Sequence, residues 1–349
     1  MRSLYVHLPF CLRKCPYCSF FSVTDASDKM EQYILRVIEE ATSFSSQEVG
    51  SIYFGGGTPT SIPPSLLGML LKELRKRFPC HGEITIEANP ATVTETSLSL
   101  LYQAGFNRIS IGIQSLNKSE LEFLERLHSA DEGLQTIQDA LKAGFTNISA
   151  DIMFGLPGQT PMDVKETLQK ILSLPVTHIS TYSLSIEQGT DFASRILHLP
   201  DENMEREMYY TIRDILCTNG FSHYEISNFA KPGFEALHNT HYWKCGEYIG
   251  LGAGAHGYID GKRYANISNV DAYIEKINPI ESEMLLSPTD RQEEYYMLGL
   301  RMLQGVKDDG NPNIPRLIRE GLLERNGENI CLTGRGLDIA NYVISELFI

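Results

Sequence analysis

Long apolar runs are missing: nowhere in the 349 residues do about 18 apolar residues follow one another, the length a membrane-crossing helix needs. Met1-Arg2-Ser3-Leu4 leads straight into a strand-like segment, so the apolar core of a secretion signal is missing as well. Positive charge is scarce, with 30 Lys and Arg against 44 Asp and Glu and a net charge of −14. That balance argues against a broad nucleic-acid surface, whose affinity rests on Lys and Arg neutralising phosphates. The short run Arg75-Lys76-Arg77 suits the C-terminal end of a helix equally well. A framework of paired cysteines is also lacking: the count is seven, odd, with three of them between residues 11 and 18. A cytoplasmic location is therefore expected, and in a reducing compartment such clustering points to metal.

What is present is rhythm. Strand-like runs rich in Ile, Val, Tyr or Phe occur at Leu4–Leu8, Ser51–Phe54, Glu83–Glu87, Arg108–Ile113, Ile148–Ile152 and Ile179–Leu184. Amphipathic stretches such as Met30–Ala41, Ser65–Arg77 and Asp163–Leu174 lie between them. Strand–helix alternation over six units predicts a parallel α/β sheet, read as a partial (β/α)6 barrel spanning 1–190, with an open doubly wound sheet as the alternative. Functional side chains are expected at the C-terminal ends of its strands. A barrel extension and connecting segment is expected over 191–285, containing a helix at Met204–Cys217. Helices at Arg291–Gln304, Ile314–Glu320 and Leu337–Leu347 and a hairpin-like run at Asn329–Thr333 suggest a winged-helix-like α+β module over 286–349.

Cys11-Leu12-Arg13-Lys14-Cys15-Pro16-Tyr17-Cys18 follows the first strand. Three thiolates on one short loop can hold three corners of a cubane cluster, and Phe20, two residues after Cys18, adds no fourth. The remaining iron then takes an exchangeable ligand, for which the amino and carboxylate groups of S-adenosylmethionine are suited. A closed zinc site with His7 as fourth ligand, or a redox Cys-x-x-Cys pair, are the competing readings. The CxxxCxxC spacing after a first barrel strand favours the cluster. Gly55-Gly56-Gly57-Thr58-Pro59 follows the second strand, where glycines permit close approach and free N–H groups could receive a ligand carboxylate. Glu87, Gln114 and Asp151 stand at the ends of three further strands; each could equally cap a helix, but three equivalent positions favour a shared site.

The cysteine segment resembles the signature of the radical S-adenosylmethionine superfamily, in which a [4Fe–4S] cluster cleaves the bound cofactor to a deoxyadenosyl radical. More of the chain resembles the family of oxygen-independent coproporphyrinogen III oxidase and the haem chaperone HemW. The matching stretches are YVHLPFCLRKCPYCSF, FGGGTPT, IEANP, RISIGIQSLN, DIMFGLPGQT and HNTHYWKCGEYIGLGAGAHGY. The resemblance implies that Cys11, Cys15 and Cys18 bind the cluster. It implies cofactor contacts at Tyr5, Tyr17, Gly56, Gly57, Thr58, Glu87, Gln114, Arg126 and Asp151. Arg126, which could otherwise form a surface pair with Glu122, enters through Arg126-Leu127-His128.

Within that family, oxidases carry a further cysteine where Phe20 stands and a longer segment ahead of the first strand. His238-Asn239-Thr240-His241-Tyr242-Trp243 matches the HNxxYW element of the chaperones. The chaperone branch is therefore expected, without an assured enzymatic activity, and with decarboxylation of coproporphyrinogen III propionates as the alternative. On this resemblance His238 is an axial ligand for haem b, with His241 and His256 as rivals, and the haem passes to apo-haemoproteins. A reductant protein, peripheral membrane association and oligomerisation are compatible with it; a nucleic-acid partner is not expected. Cys80, Cys217, Cys245 and Cys331 are expected to be inert packing residues.

Overall fold

The computed structural model describes residues 1–348. Its first half alternates β1 (Arg2–Leu8), α1 (Met30–Ala41), β2 (Val49–Gly56), α2 (Pro64–Arg77), β3 (Cys80–Ala88), α3 (Glu95–Ala104), β4 (Arg108–Gln114), α4 (Lys118–Phe123), α5 (Ala130–Ala143), β5 (Asn147–Phe154), α6 (Pro161–Leu172) and β6 (His178–Ser183). The helix starts are chemically marked. Thr94, Ser129 and Thr160 each accept the N–H three residues on, and the side chain at that position accepts the cap's own N–H. Helices α3 and α5 end at Gly105 and Gly144, both with φ of 111°, a left-handed turn that glycine tolerates.

Strands β1 to β6 lie side by side in chain order, every neighbouring pair parallel. An unbroken order lacks the reversal that defines a doubly wound sheet, so the partial (β/α)6 barrel is the architecture present. Period-two alternation divides each strand. Leu4, Val6, Ile52, Phe54, Ile86, Ile109, Ile111, Ile148 and Ile152 join the helices in one apolar core. On the other face Tyr5, Tyr53, Thr85 and Arg108 are neighbours across the register of β1 to β4, and Ser110, Ser149 and His178 across that of β4 to β6. The barrel interior is thus polar rather than filled with branched apolar side chains.

Beyond β6, α7 (Glu202–Thr218) leads to β7 (Ser222–Glu225) and β8 (Asn228–Ala230), which extend the sheet antiparallel past β6. Helix α8 (Leu237–Trp243) then packs into the barrel against β2. The chain crosses to the opposite edge, where β9 (Tyr248–Leu251) pairs parallel with β1. Strands β10 (His256–Ile259), β11 (Lys262–Asn266) and, after α9 (Val270–Glu275), β12 (Ile280–Leu285) follow antiparallel. Residues 191–285 therefore share one twelve-stranded sheet with the first 190. The glycine-rich run 250–254 is partly β9. A Cβ on Gly250 would lie 1.9 Å from the His256 carbonyl oxygen, so glycine serves close backbone approach there.

The C-terminal module comprises α10 (Pro288–Gly299), β13 (Val306–Lys307), α11 (Ile314–Arg319), β14 (Leu323–Asn326), β15 (Asn329–Leu332), α12 (Gly334–Asp338) and α13 (Ala340–Ser345). Its antiparallel wing runs β13-β15-β14, and Tyr296, Leu317, Ile330, Val343 and Leu347 form a core of its own. Two helix ends differ from the sequence reading. The last helix breaks at Ile339 (φ −130°, ψ 37°), and α10 stops at Gly299, where a Cβ would lie 2.1 Å from Val306 Cγ1 as the chain folds back.

Candidate functional site

At the C-terminal ends of β1 to β6 lies a cavity of about 530 Å³. Its lining includes Cys11, Cys15, Cys18, Tyr17, Gly56, Gly57, Thr58, Glu87, Gln114, Arg126 and Asp151, every cluster or S-adenosylmethionine contact that the resemblance implied except Tyr5.

The cysteine loop is closed at its base: Val23 donates its N–H to Pro9 O (2.7 Å) and Cys11 donates to Val23 O (2.9 Å). Cys11 Sγ lies 3.5 Å from Thr58 Oγ1. Arg126 reaches Cys15 Sγ and the Tyr17 hydroxyl, both at 3.4 Å, and donates to Gly112 O at 2.8 Å, while its buried Nε has no partner. Burial pushes the Cys11 and Cys18 thiols up, so their thiolates call for a cationic partner.

Gly56 has φ of 111°, and a Cβ there would come within 2.7 Å of the His7 ring. The neighbouring N–H groups are not free to receive a ligand, contrary to the sequence reading. Gly57 donates to Leu8 O (3.0 Å) and Thr58 to Phe10 O (2.8 Å), so the glycine segment clamps the cysteine loop instead.

Two carboxyls share one wall of the cavity. Tyr53 donates its hydroxyl to Glu87 Oε1 at 2.7 Å. Burial, helped by the charge of Asp151 and opposed by the Tyr53 bond, pushes the Glu87 carboxyl up to about 7. Asp151 accepts from Ser110 (2.9 and 3.0 Å) and Ser149 (3.0 Å), and burial raises it too. Such a pair favours a cation. Gln114 enters on a bulge in β4 with φ of 65°, a conformation uncommon outside glycine, which re-aims its side chain into the cavity.

Tyr5 is not in the cavity. It sits below, stacked on Tyr53 (centroids 6.2 Å), with its hydroxyl 3.0 Å from His7 Nδ1. His7, the fourth ligand of the zinc reading, holds Phe21 O with Nε2 at 2.9 Å, so both ring nitrogens are engaged. Among the described residues no three His, Cys, Asp or Glu side chains converge on a single ion. His238 is also apart, 1% exposed inside the barrel, with Nδ1 2.8 Å from Ser51 Oγ and Nε2 2.7 Å from the Tyr242 hydroxyl. Burial pulls its ring down to about 3. Of its rivals, His241 Nε2 is 2.7 Å from Glu247 O, and His256 is exposed at the start of β10. Sequence reasoning missed Tyr182, Arg13 and Lys14 as lining residues. The signal for Tyr182 was its parity on β6, two residues beyond the inward Ser180.

The donor set fits a [4Fe–4S] cluster with S-adenosylmethionine: three thiols on one loop, an under-satisfied guanidinium beside Cys15, and two carboxyls facing the same space. Residues 5–171 match the model of the radical SAM superfamily. Over 99% of this chain and 97% of the relative, the sequence is 37% identical to the haem chaperone HemW of Lactococcus lactis. The chain belongs to the HemW family. The HemW of Bacillus subtilis is 34% identical over 98% of each chain. The solved structure of the radical SAM enzyme coproporphyrinogen III oxidase (HemN) from Escherichia coli superimposes with a TM-score of 0.85 over 99% of this chain and 89% of that one. At 22% identity, that likeness places this HemW-family chain in the same fold.

Proposed function

We propose that the protein is a haem chaperone: it holds a [4Fe–4S] cluster and S-adenosylmethionine at the barrel mouth, binds haem b and delivers it to apo-haemoproteins. The observation that carries this reading is end-to-end similarity to proteins named haem chaperones. Phe20, 67% exposed at the cavity, supports it, since it stands where the resembling oxidases carry a further cysteine.

In this mechanism Cys11, Cys15 and Cys18 hold the cluster. When bound, the cluster supplies one-electron reduction of a sulfonium. Arg126 offsets charge at Cys15, and its bond to Gly112 O fixes it to β4. Glu87 and Asp151 orient the cationic end of the cofactor, and the Gly56–Thr58 clamp keeps the cysteine loop over the strand ends. His238 would supply the ligand to haem iron. Delivery to acceptor proteins, supply of electrons by a reductant protein, self-association and membrane association belong to this proposal. No helix among the described residues is long and apolar enough to cross a membrane, so association would be peripheral.

The test is an anaerobic haem titration and transfer assay on reconstituted protein. A Soret shift followed by loading of an apo-haemoprotein is expected. Conversion of coproporphyrinogen III to protoporphyrinogen IX over many turnovers would overturn the reading.

A further inference from the structure

His238 faces a difficulty as a haem ligand: it is buried and both of its ring nitrogens are engaged. We propose that α8 is a latch, which keeps His238 sequestered inside the barrel and must unseat before iron can reach the imidazole. This rests on the reading of His238 as the ligand, and adds the device that controls it.

The seat is polar. Glu83 accepts the N–H groups of Leu237 (3.0 Å) and His238 (3.2 Å), one on each carboxylate oxygen. Arg108 Nε stands 3.8 Å from Glu83, within ion-pair range but without any hydrogen bond. Ser51 and Tyr242 complete the hold on the ring. The seat is also imperfect, because Thr240 Oγ1 and Trp243 Nε1 are buried without partners. Hydration of such atoms on unseating recovers part of the free energy that leaving costs.

Both ends of the latch touch elements able to move it. The His238 ring stacks on Tyr53 (centroids 5.0 Å, 29°), and Tyr53 donates to Glu87 in the cofactor cavity. At the other end, Arg301 of the C-terminal module lies over the Trp243 ring (5.8 Å), and Cys245 Sγ approaches Glu294 O of α10 (3.7 Å). The helix therefore bridges the cofactor site and the module with the separate core. An acceptor that pulls on that module, or a cofactor that takes Glu87 from Tyr53, would loosen the same histidine.

The test uses the full chain, with amide exchange at residues 237–243 and stopped-flow association with haemin, for Glu83→Gln, Tyr242→Phe and His238→Ala. The first two are expected to speed exchange in α8 and to accelerate haemin association roughly fivefold, the effect of one lost hydrogen bond, with an unchanged final spectrum. His238→Ala is expected to lose the histidine-ligated spectrum. Faster exchange with unaltered association would overturn the latch while leaving the ligand intact, and so would unaltered exchange in both variants. A wild-type spectrum and affinity in His238→Ala would instead overturn the ligand reading. Should Glu83→Gln fail to fold, Tyr242→Phe decides the matter, since it removes a single hydroxyl.

Discussion

The Tyr53 hydroxyl donates to Glu87 Oε1 at 2.7 Å while the same ring stacks on His238. That bond opposes the upward pressure of burial on the carboxyl. In Tyr53→Phe the carboxyl should rise by a further ~0.7 unit, the equivalent of about 1 kcal/mol. With ionised Glu87 proposed to orient the cationic cofactor, S-adenosylmethionine affinity should increase with pH through neutrality. The variant's profile should be displaced to higher pH. Calorimetric titration at a series of pH values reads this directly, and superimposable profiles would show that Glu87 does not set the affinity.

Glu87 also leaves a signature on stability. Its folded value of about 7 lies above its ordinary 4.5, so the protonated form is favoured by folding. The corresponding stability is fully present below 4.5 and is lost as pH rises through 7, by roughly 3 kcal/mol at most. Glu87→Gln should therefore lose less stability than wild type between pH 5 and pH 8 in urea unfolding. His238 acts in the opposite sense: held down to about 3, it contributes stability above 6.5 that is lost as pH falls. The acid limb should accordingly survive in the glutamine variant.

Arg126 is the one guanidinium in contact with a cluster-loop sulfur among the described residues, at 3.4 Å from Cys15. Hydrogen bonds and positive charge at a ligand sulfur favour the reduced, more negative cluster. Arg126→Met should lower the cluster potential by tens of millivolts, on the order expected for one such contact, while leaving iron content near wild type. A redox titration followed by electron paramagnetic resonance measures it. Alanine at Cys11, Cys15 or Cys18 should instead abolish the brown colour and the bound iron.

Gly56 is expected to be intolerant. Alanine would add a Cβ 2.7 Å from the buried His7 ring at φ of 111°. Strain and overpacking together should cost about 2–4 kcal/mol and displace the carbonyl-clamped cysteine loop, lowering both the melting temperature and the iron retained after reconstitution.

Strands β1 to β5 were legible because their helix-facing parity is apolar, as in Leu4, Val6 and Leu8 or Ile109, Ile111 and Ile113, whereas on β6 it passes from Ile179 to Thr181 and Ser183. Strands β9 to β12 were not, since they are short and β9 contains Gly250, where close backbone approach replaces a side chain that would mark the strand. The cysteine loop and the residues at strand tips announced themselves by spacing. Parity would also have placed Tyr5 inside, between the inward Ser3 and His7, and below the site rather than in it. The burial of His238 left no trace in the sequence: an aromatic-flanked histidine looks alike whether it waits for iron or fills a barrel, and only its long-range partners Ser51 and Glu83 distinguish the two.

Strand β1 acquires its second neighbour only when residues 248–251 arrive as β9. On the ribosome, the strand that leads into the cysteine loop therefore carries a bare hydrogen-bonding edge through most of synthesis. Such an edge invites pairing with other chains. Iron insertion into a half-made chain would occur beside that open flank, so the glycine-rich segment near residue 250 acts late, as the seam that seals β1.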